Sequence, residues 1–237
     1  MNLNDRVAVI TGATGALGTI VTRELAARGT ALALLGKDPA RLEVLAESLS
    51  LPKSRLFTEC VDLLDPQETN SVAQAIIDKF GRIDILLHLV GGWTGGKSLF
   101  STGCDDLTFM LNQHVWTSFN VIQVFVPHLV SNGWGRVIMI TSPFAARPNA
   151  RGGPYAIGKA GQEALMLTLS EELRGTGVTA NLLQARTIDG KREKVSAPTL
   201  DNAAWTTPEE LTAAILFLLS DEAGVVNGAK IPLFGSF

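Results

Sequence analysis

The sequence predicts an α/β fold, a doubly wound, mainly parallel sheet of about seven strands with helices on both faces. Three observations predict it. Short, nearly continuous apolar runs alternate with helical patterns along the chain, as in a parallel sheet that is covered on both sides. A glycine-rich turn follows the first apolar run and opens the first helix. The length of 237 residues, 46% of them hydrophobic, suits a single domain over residues 1–237.

Each element has its own local signal. Strands are predicted where short β-rich apolar runs stand between turn residues, at 6–11, 30–35, 55–59, 83–90, 136–141, 178–183 and 229–233. Helices are predicted between them, at 15–28, 38–50, 66–80, 105–130, 153–174 and 208–220. Asp38 and Asp65 are predicted N-caps, because each precedes a proline that suits the first helical position. The long helix 105–130 is expected to kink near Pro127.

Composition argues against several functional classes. The net charge of −3 gives no electrostatic reason to expect nucleic acid or an anionic membrane as a partner. The apolar run 213–219 is too short for a membrane span, and the N-terminal residues lack the pattern of a secretory signal. Cys60 and Cys104 form neither a disulfide framework nor a metal-binding spacing. We therefore expect a cytoplasmic protein that acts on a small molecule and binds no metal.

The glycine-rich turn at residues 11–18 predicts a phosphate-binding site. Gly12 permits a tight turn, Gly15 lets the backbone approach a pyrophosphate, and Gly18 allows close packing of the helix on the sheet. The turn also contains three further residues expected at the cofactor, Thr14, Ala16 and Leu17. Together with the strand–helix alternation, this turn indicates a dinucleotide-binding domain of the Rossmann type.

The end of the second strand bears on the choice between NAD(H) and NADP(H). A carboxylate there would accept from the ribose 2′-hydroxyl, whereas a basic residue would suit the 2′-phosphate. Gly36 and Lys37 occupy this position, and Asp38 is better explained as a helix N-cap. The sequence therefore favours NADP(H), with Lys37 as the basic residue. Asp62, after the third strand, is expected either to contact the adenine or to shape a turn.

The candidate catalytic group follows the fifth strand. Tyr155 is the chain's one tyrosine, and Lys159 lies four residues later on the same predicted helix face. A neighbouring ammonium is expected to lower the pKa of the phenol and so suit it to exchange a proton with a carbonyl or alcohol. Ser142, 13 residues before Tyr155, offers a hydroxyl that could orient the same substrate oxygen.

Taken together, these motifs resemble the single-domain branch of the short-chain dehydrogenase/reductase superfamily. The resemblance rests on the turn 11–18, Asp62, Ser142, the segment 155–159 and Asn-Gly-Ala at 227–229. It implies that Tyr155 is the general acid/base, that Lys159 lowers the tyrosine pKa and holds the nicotinamide ribose, and that Ser142 orients the substrate. It also implies cofactor contacts from Leu63, Val90, Gly91 and Ile188. Homo-oligomers, tetramers or dimers, would form through the helices 105–130 and 153–174.

Four features depart from the superfamily's pattern. The middle glycine of the turn is Gly15, and Ala16 stands where that glycine usually lies. His88-Leu89-Val90-Gly91 replaces Asn-Asn-Ala-Gly after the fourth strand, and Ala185-Arg186 replaces Pro-Gly after the sixth. His114 occupies the position of the asparagine that completes the catalytic tetrad. His114 is expected either to support a proton relay or to be a buried structural histidine, and His88 is expected to be structural.

The substrate is less well defined. The segments 15–18, 91–96, 116–118, 187–189 and 205–206 are similar to dihydropteridine reductase, and Trp93 would then stack on a flat heterocycle. Ser142 and the Gly36-Lys37 pair depart from that enzyme, which lacks the serine and prefers NADH. Arg151 and Arg186 are candidate substrate contacts, and residues 184–206 are expected to form a loop over the site. An alternative to catalysis is a dinucleotide-binding regulatory protein.

Overall fold

The computed structural model describes residues 3–234 and shows one seven-stranded sheet. The strands are β1 (Val7–Thr11), β2 (Ala31–Gly36), β3 (Leu56–Cys60), β4 (Ile85–His88), β5 (Gly135–Thr141), β6 (Val178–Gln184) and β7 (Lys230–Pro232). Their order is β3-β2-β1-β4-β5-β6-β7, and every neighbouring pair is parallel. The predicted doubly wound parallel sheet is confirmed.

Eight α-helices connect the described strands. They are α1 (Ala16–Ala27), α2 (Pro39–Glu47), α3 (Pro66–Phe80), α4 (Cys104–Leu111), α5 (Thr117–Ser131), α6 (Gly153–Glu172), α7 (Glu193–Ser196) and α8 (Pro208–Leu218). Short 3₁₀ turns occupy Lys53–Arg55, Leu99–Ser101, Pro143–Ala145 and Glu222–Val225. The Asp38 carboxylate accepts from the Arg41 amide and that of Asp65 from the Gln67 and Glu68 amides, so both predicted N-caps are confirmed.

The predicted helix 105–130 is divided in the structure. A π-helical turn, Asn112–Trp116, separates α4 from α5, and Pro127 lies inside α5. The break therefore falls well before the expected position at Pro127. A π turn widens the helix locally and often marks a functional position. Here it places His114 at the carboxyl edge of the sheet.

The five inner strands, β2, β1, β4, β5 and β6, are mostly apolar because both faces of the sheet are buried there, whereas the edge strands β3 and β7 are partly exposed. Val9 and Leu86 pack with Phe125 of α5 in one core cluster. The alternate residues Ala8 and Ile10 of β1, with Ile85 and Leu87 of β4, belong to a second cluster with α1 and α8. Among residues 3–234, no helix is both long and apolar enough to cross a membrane. This two-sided core fixes the carboxyl edge on which the site is built.

Candidate active site

The glycine-rich turn lies at the carboxyl edge of the sheet, between β1 and α1. Gly12 has a φ of +68°, and a Cβ placed there would lie 3.0 Å from the main chain of Leu89, after β4. A Cβ at Gly18 would overlap the Gly12 carbonyl and lie 2.7 Å from the Ala13 carbonyl oxygen. Both positions therefore require glycine. The close approach at Gly18 is to the turn itself, rather than to the sheet as the sequence suggested.

A cleft extends from this turn in two directions. A cavity of about 500 Å³ reaches from Gly15 to Tyr155 and Lys159. A second cavity of about 230 Å³ shares Gly12, Gly15, Val90 and Gly91 with the first and extends to the tip of β2. The turn thus lies at the junction of two compartments, the arrangement that a dinucleotide with two nucleoside halves requires.

The residues present fit a nicotinamide dinucleotide. Helix α1 begins behind Gly15, which provides no side-chain cap, so the amides of the first turn stay available to a phosphate. The cavity walls contain all but one of the residues expected at the cofactor: Gly12, Thr14, Gly15, Ala16, Leu17, Lys37, Leu63, Val90, Gly91, Tyr155, Lys159 and Ile188. The exception is Asp62, which lines neither cavity.

Asp62 instead forms an ion pair with Lys37. The Lys37 Nζ lies 2.9 Å from the Asp62 Oδ1, and hydrogen bonding to Lys37 lowers the pKa of Asp62. Asp62 also accepts from the Leu64 amide, which matches the turn-forming alternative. Arg41 of α2 lines the same cavity and donates to the Thr14 carbonyl. Because Asp62 offsets the charge of Lys37, Arg41 carries the unbalanced positive charge at the tip of β2.

Tyr155 lies in the first turn of α6, and its hydroxyl forms a hydrogen bond with the buried Ser142, which follows β5. Burial raises the pKa of Tyr155 above its ordinary value of 10.0, and the hydrogen bond with Ser142 offsets only part of that rise. The expected lowering of this pKa by Lys159 is therefore wrong. Tyr155 is instead held in its protonated, proton-donating form.

Lys159 lies one turn further along α6 and is only 5% exposed. Its Nζ donates to the Ile140 carbonyl at 2.7 Å and to Gln162 Oε1 at 2.9 Å. Burial lowers the pKa of Lys159 to about 7, although the charge of Glu163 acts in the opposite direction. An ammonium has three N–H donors, so one remains for a ligand in the cavity that Lys159 lines.

His114 is buried on the π-helical turn, where its Nε2 lies 3.0 Å from the Gly92 carbonyl oxygen. Its ring meets the Tyr155 ring edge-on, with 5.5 Å between the centroids. Burial, and then the charge of Lys159, lower the pKa of His114 to about 3. A histidine that is neutral at working pH and bonded to a main-chain carbonyl supports the loop after β4. His114 also lines the larger cavity, and its buried Nδ1 has no hydrogen-bond partner among residues 3–234, so the structural contact does not remove the proton-relay alternative.

His88, at the end of β4, is structural as expected. Its Nδ1 lies 2.7 Å from the Thr11 Oγ1, and its Nε2 lies 3.4 Å from the Thr117 Oγ1. Burial, with smaller effects from Lys159 and His114, lowers its pKa to about 3. His88 therefore connects β1 to α5 as a neutral side chain.

Two of the three expected substrate contacts line the larger cavity. Trp93 is 65% exposed there, and Arg186 lines the same space without an ion pair to any of residues 3–234. Phe144, which the sequence did not single out, also lines it. Arg151 does not line this cavity: it lies in an exposed turn with a φ of +64°, where its carbonyl accepts from the Gly96 amide. The sequence placed Arg151 at the substrate because it assumed that residues between Ser142 and Tyr155 face the site.

Comparison with known proteins agrees with this geometry. A family model described as short chain dehydrogenase matches residues 6–199. The chain belongs to the short-chain dehydrogenase family. It is 25% identical to the 3-oxoacyl-(acyl-carrier-protein) reductase FabG of Thermotoga maritima over 243 residues, covering 99% of this chain and 98% of the relative. It is 27% identical to meso-2,3-butanediol dehydrogenase of Serratia marcescens over 243 residues, covering 99% of this chain and 95% of the relative.

The solved structure of NAD⁺-bound xylitol dehydrogenase has the same fold. It matches this chain with a TM-score of 0.87 at 20% identity, and the match covers 100% of both chains. The family, and the reductase and dehydrogenase among the relatives above, identify the chain as an NAD(P)-dependent oxidoreductase. Members of the family bind a nicotinamide dinucleotide and act on small molecules.

Sequence reasoning missed three polar residues of this short-chain dehydrogenase. Arg41 lies four residues beyond Lys37 on an exposed helix, where an arginine gives no signal by itself. Gln162 and Ser118 are fully buried beside Lys159 and His114. Their spacing gave a partial signal, because Gln162 lies three residues after Lys159 and Ser118 four residues after His114.

Proposed function

We propose that this short-chain dehydrogenase transfers a hydride between nicotinamide and a small carbonyl or alcohol substrate, with Tyr155 as the general acid/base. One observation carries the proposal: Tyr155, bonded to Ser142 and one turn from Lys159, lines the same cavity as the glycine-rich turn. The names of the reductase from Thermotoga maritima and the dehydrogenase from Serratia marcescens support this substrate class.

The residues divide the work as follows. The bound nicotinamide supplies or accepts the hydride. In the reducing direction, Tyr155 gives its phenolic proton to the substrate oxygen, so a ketone gains one hydride and one proton and becomes an alcohol. The raised pKa of Tyr155 keeps that proton in place until the substrate binds. Ser142 orients the Tyr155 hydroxyl and the substrate oxygen. The remaining N–H of Lys159 binds the nicotinamide ribose and stabilises the phenolate that forms.

Replacing Tyr155 by Phe tests this function. The variant keeps the ring that packs against His114 but lacks the proton, so we expect turnover to fall by roughly a hundredfold or more. NADPH binding, read from the cofactor's fluorescence, should change little. Substrates would be sought among diketones, quinones and pterins, with consumption of NADPH and NADH followed in parallel. A Phe variant with full turnover would exclude Tyr155 as the acid, and NADPH binding without turnover on any substrate would favour a regulatory protein.

We also propose that NADP(H) is preferred over NAD(H), with Arg41 and Lys37 at the 2′-phosphate. Both cations line the smaller cavity at the tip of β2, and the only carboxylate adjacent to Lys37 in sequence, Asp38, is engaged as an N-cap. The Lys37–Asp62 pair is largely exposed, so a phosphate can compete with Asp62 for Lys37 at small cost.

Paired Ala variants measure this preference. We expect Arg41→Ala to raise the Kd for NADPH by about tenfold, the loss of one charge-assisted contact, and to leave the Kd for NADH nearly unchanged. Lys37→Ala should have a smaller effect, because Asp62 already offsets that charge. Equal effects of Arg41→Ala on the two cofactors would remove the argument for NADP(H).

The whole chain, 1–237, is proposed to act as one domain, with 184–206 as the substrate loop. Inside this loop, the buried Asp189 accepts from the Glu193 and Lys194 amides at 2.8 and 2.9 Å. Ile188 also pairs with Thr206 across the base of the loop. Residues 1–2 and 235–237 lie outside the described part of the chain.

A further inference from the structure

Buried side chains connect Lys159 to the π-helical turn. The Lys159 Nζ donates to Gln162 Oε1 at 2.9 Å, and Gln162 Nε2 donates to Ser118 Oγ at 3.0 Å. Ser118 Oγ in turn donates to the His114 carbonyl oxygen at 2.6 Å. Gln162, Ser118 and His114 are all 0% exposed. The connection thus runs inside the protein, from α6 through α5 to the turn that carries His114.

The chemistry of these groups fixes the direction of the connection. An ammonium only donates hydrogen bonds, so the Gln162 atom that faces Lys159 must be the oxygen. The Gln162 amide nitrogen must then face Ser118, whose hydroxyl accepts this bond and donates its own proton to the His114 carbonyl. Every contact therefore has a matched donor and acceptor. A flipped Gln162 amide would place two donors against each other, so one arrangement is favoured over the other.

The connection sets the position of Lys159 before any ligand binds. Two of its three N–H donors are taken, one by Gln162 and one by the Ile140 carbonyl on β5. These contacts hold the ammonium between two elements of the scaffold, and the third donor is left for the cavity. Pre-organisation of this kind spares a side chain with four rotatable bonds the entropy loss that it would otherwise suffer on binding.

We propose that Gln162 and Ser118 are positioning residues that hold the Lys159 ammonium for the cofactor ribose and for Tyr155 by tying it to the π-helical turn. The inference rests on the function proposed above for this site. A carboxamide does not readily pass a proton along, so the connection orients Lys159 and supports its charge rather than conducting protons.

The charge of Lys159 gives a readout that a purely structural role would not move. Among residues 3–234, Glu163 on α6, His88 on β4 and His114 on the π turn interact with it electrostatically, Tyr155 shares its cavity, and Lys230 pairs with Glu163. Both histidines have pKa values of about 3 and stay neutral near neutral pH, and the pKa of Tyr155 is raised. Glu163 accepts from the Thr141 hydroxyl and from the Lys230 Nζ. Loss of activity between pH 6 and 9 should therefore report the proton on Lys159.

Substitutions at Gln162 are expected to shift this loss in opposite directions. Gln162→Leu removes an acceptor that favours the charged lysine, so kcat should fall about tenfold and the alkaline limb should move to lower pH by about one unit. Gln162→Glu places a carboxylate there, so the limb should move to higher pH. The pH at which NADPH affinity falls, measured by fluorescence across the same range, should also move to lower pH in Gln162→Leu and to higher pH in Gln162→Glu.

Ser118 provides a second, milder test. Ser118→Ala removes the acceptor of the Gln162 amide, so kcat should fall several-fold and the alkaline limb should move by less than in Gln162→Leu. Ser118→Thr keeps the hydroxyl, so its kcat and its alkaline limb should resemble those of the wild type. Ser170→Ala is the matched control, since it removes a buried hydroxyl from α6 that donates to the Leu167 carbonyl and lines neither cavity of the site. This control should retain both kcat and the pH profile.

The outcomes separate clearly. A folded Gln162→Leu enzyme whose alkaline limb lies at the same pH as in the wild type would overturn the proposal, whether or not kcat falls. If that variant does not fold, the alkaline shift in Gln162→Glu and the Ser118 pair decide the question, and an unshifted profile in all of them refutes it. Binding shifts without turnover of any substrate would refute the proposed function and leave the positioning role intact.

Discussion

His88 shows how the burial of a single residue makes folding stability depend on pH. Its pKa is about 3 in the folded protein and near 6.5 when the ring is free in the unfolded chain. Between these values the unfolded state binds more protons, so folding stability falls as the pH drops from 6.5 towards 3. At pH 5 the expected loss from His88 alone is about 2 kcal/mol relative to neutral pH.

Replacing His88 by Asn tests this account. The amide can accept from Thr11 and donate to Thr117, but it does not titrate. We expect the variant to lose about 2 kcal/mol less stability than the wild type between pH 7.5 and pH 5, as measured by urea unfolding at each pH. His128→Asn, on a partly exposed histidine of α5, should lose as much as the wild type. A His88 variant with the wild-type dependence on pH would show that its ring is not buried in neutral form.

Spacing predicted which residues meet, but it did not predict their protonation. The four-residue interval placed Tyr155 and Lys159 on one face of α6, and Ser142, which follows β5, contacts Tyr155 as expected. The direction of the Tyr155 pKa shift was wrong, because that shift depends on how deeply the surrounding elements bury the phenol. Lys159 is also held by Ile140 and Gln162, which a local sequence pattern does not link to it.

At the scale of elements, the turn between β1 and α1 depends on its last glycine. A Cβ at Gly18 would meet main-chain atoms of Gly12 and Ala13, which cannot move aside as a flexible side chain would. We expect Gly18→Ala to lower the free energy of unfolding by about 1–3 kcal/mol and to weaken NADPH binding as the turn shifts. Urea unfolding and cofactor fluorescence measure the two effects.

The control for Gly18 lies in an open position. Gly103 precedes α4, and within residues 3–234 a Cβ there would have no atom within 4 Å other than those of its chain neighbours. Gly103→Ala should therefore change stability by no more than about 0.5 kcal/mol. If both substitutions lowered the free energy of unfolding by the same amount, crowding within the turn would not explain the need for glycine at position 18.

The π-helical turn could not be predicted from the residues that form it. Asn112–Trp116 contains no glycine or proline to mark a break, so the sequence indicated a single helix with its irregularity at Pro127. Its surroundings come from elsewhere in the chain: Gly158 of α6 packs so closely that a Cβ would lie 2.8 Å from the Met110 carbonyl oxygen and 3.1 Å from His114 Cδ2. Such contacts between distant segments do not appear in a local pattern.

At the scale of the whole molecule, the apolar runs predicted the layers correctly because the inner strands of the sheet bury both of their faces. Alternate residues of β1 and β4 enter separate core clusters on the two sides of the sheet. Apolar surface is normally buried against another element, so apolar side chains that no described element covers need an explanation. Four of them lie on α4, the π turn, the first turn of α5 and α6: Phe109, Trp116, Phe119 and Ile157, which are 46%, 53%, 36% and 43% exposed.

These four side chains support the expected homo-oligomer through the two central helices, now α4–α5 and α6. A stable interface buries about 800 Å² on each partner, and exposed aromatic residues of this kind are enriched in such interfaces. The chain has a mass of 25.2 kDa, and we expect light scattering after size exclusion to give the mass of a dimer or a tetramer of it. Phe119→Asp would place a charge in the contact and shift the protein towards the monomer. Val44→Asp, on α2 and 68% exposed, should not. A wild-type monomer at micromolar concentration, or equal behaviour of the two variants, would leave this face without a partner copy.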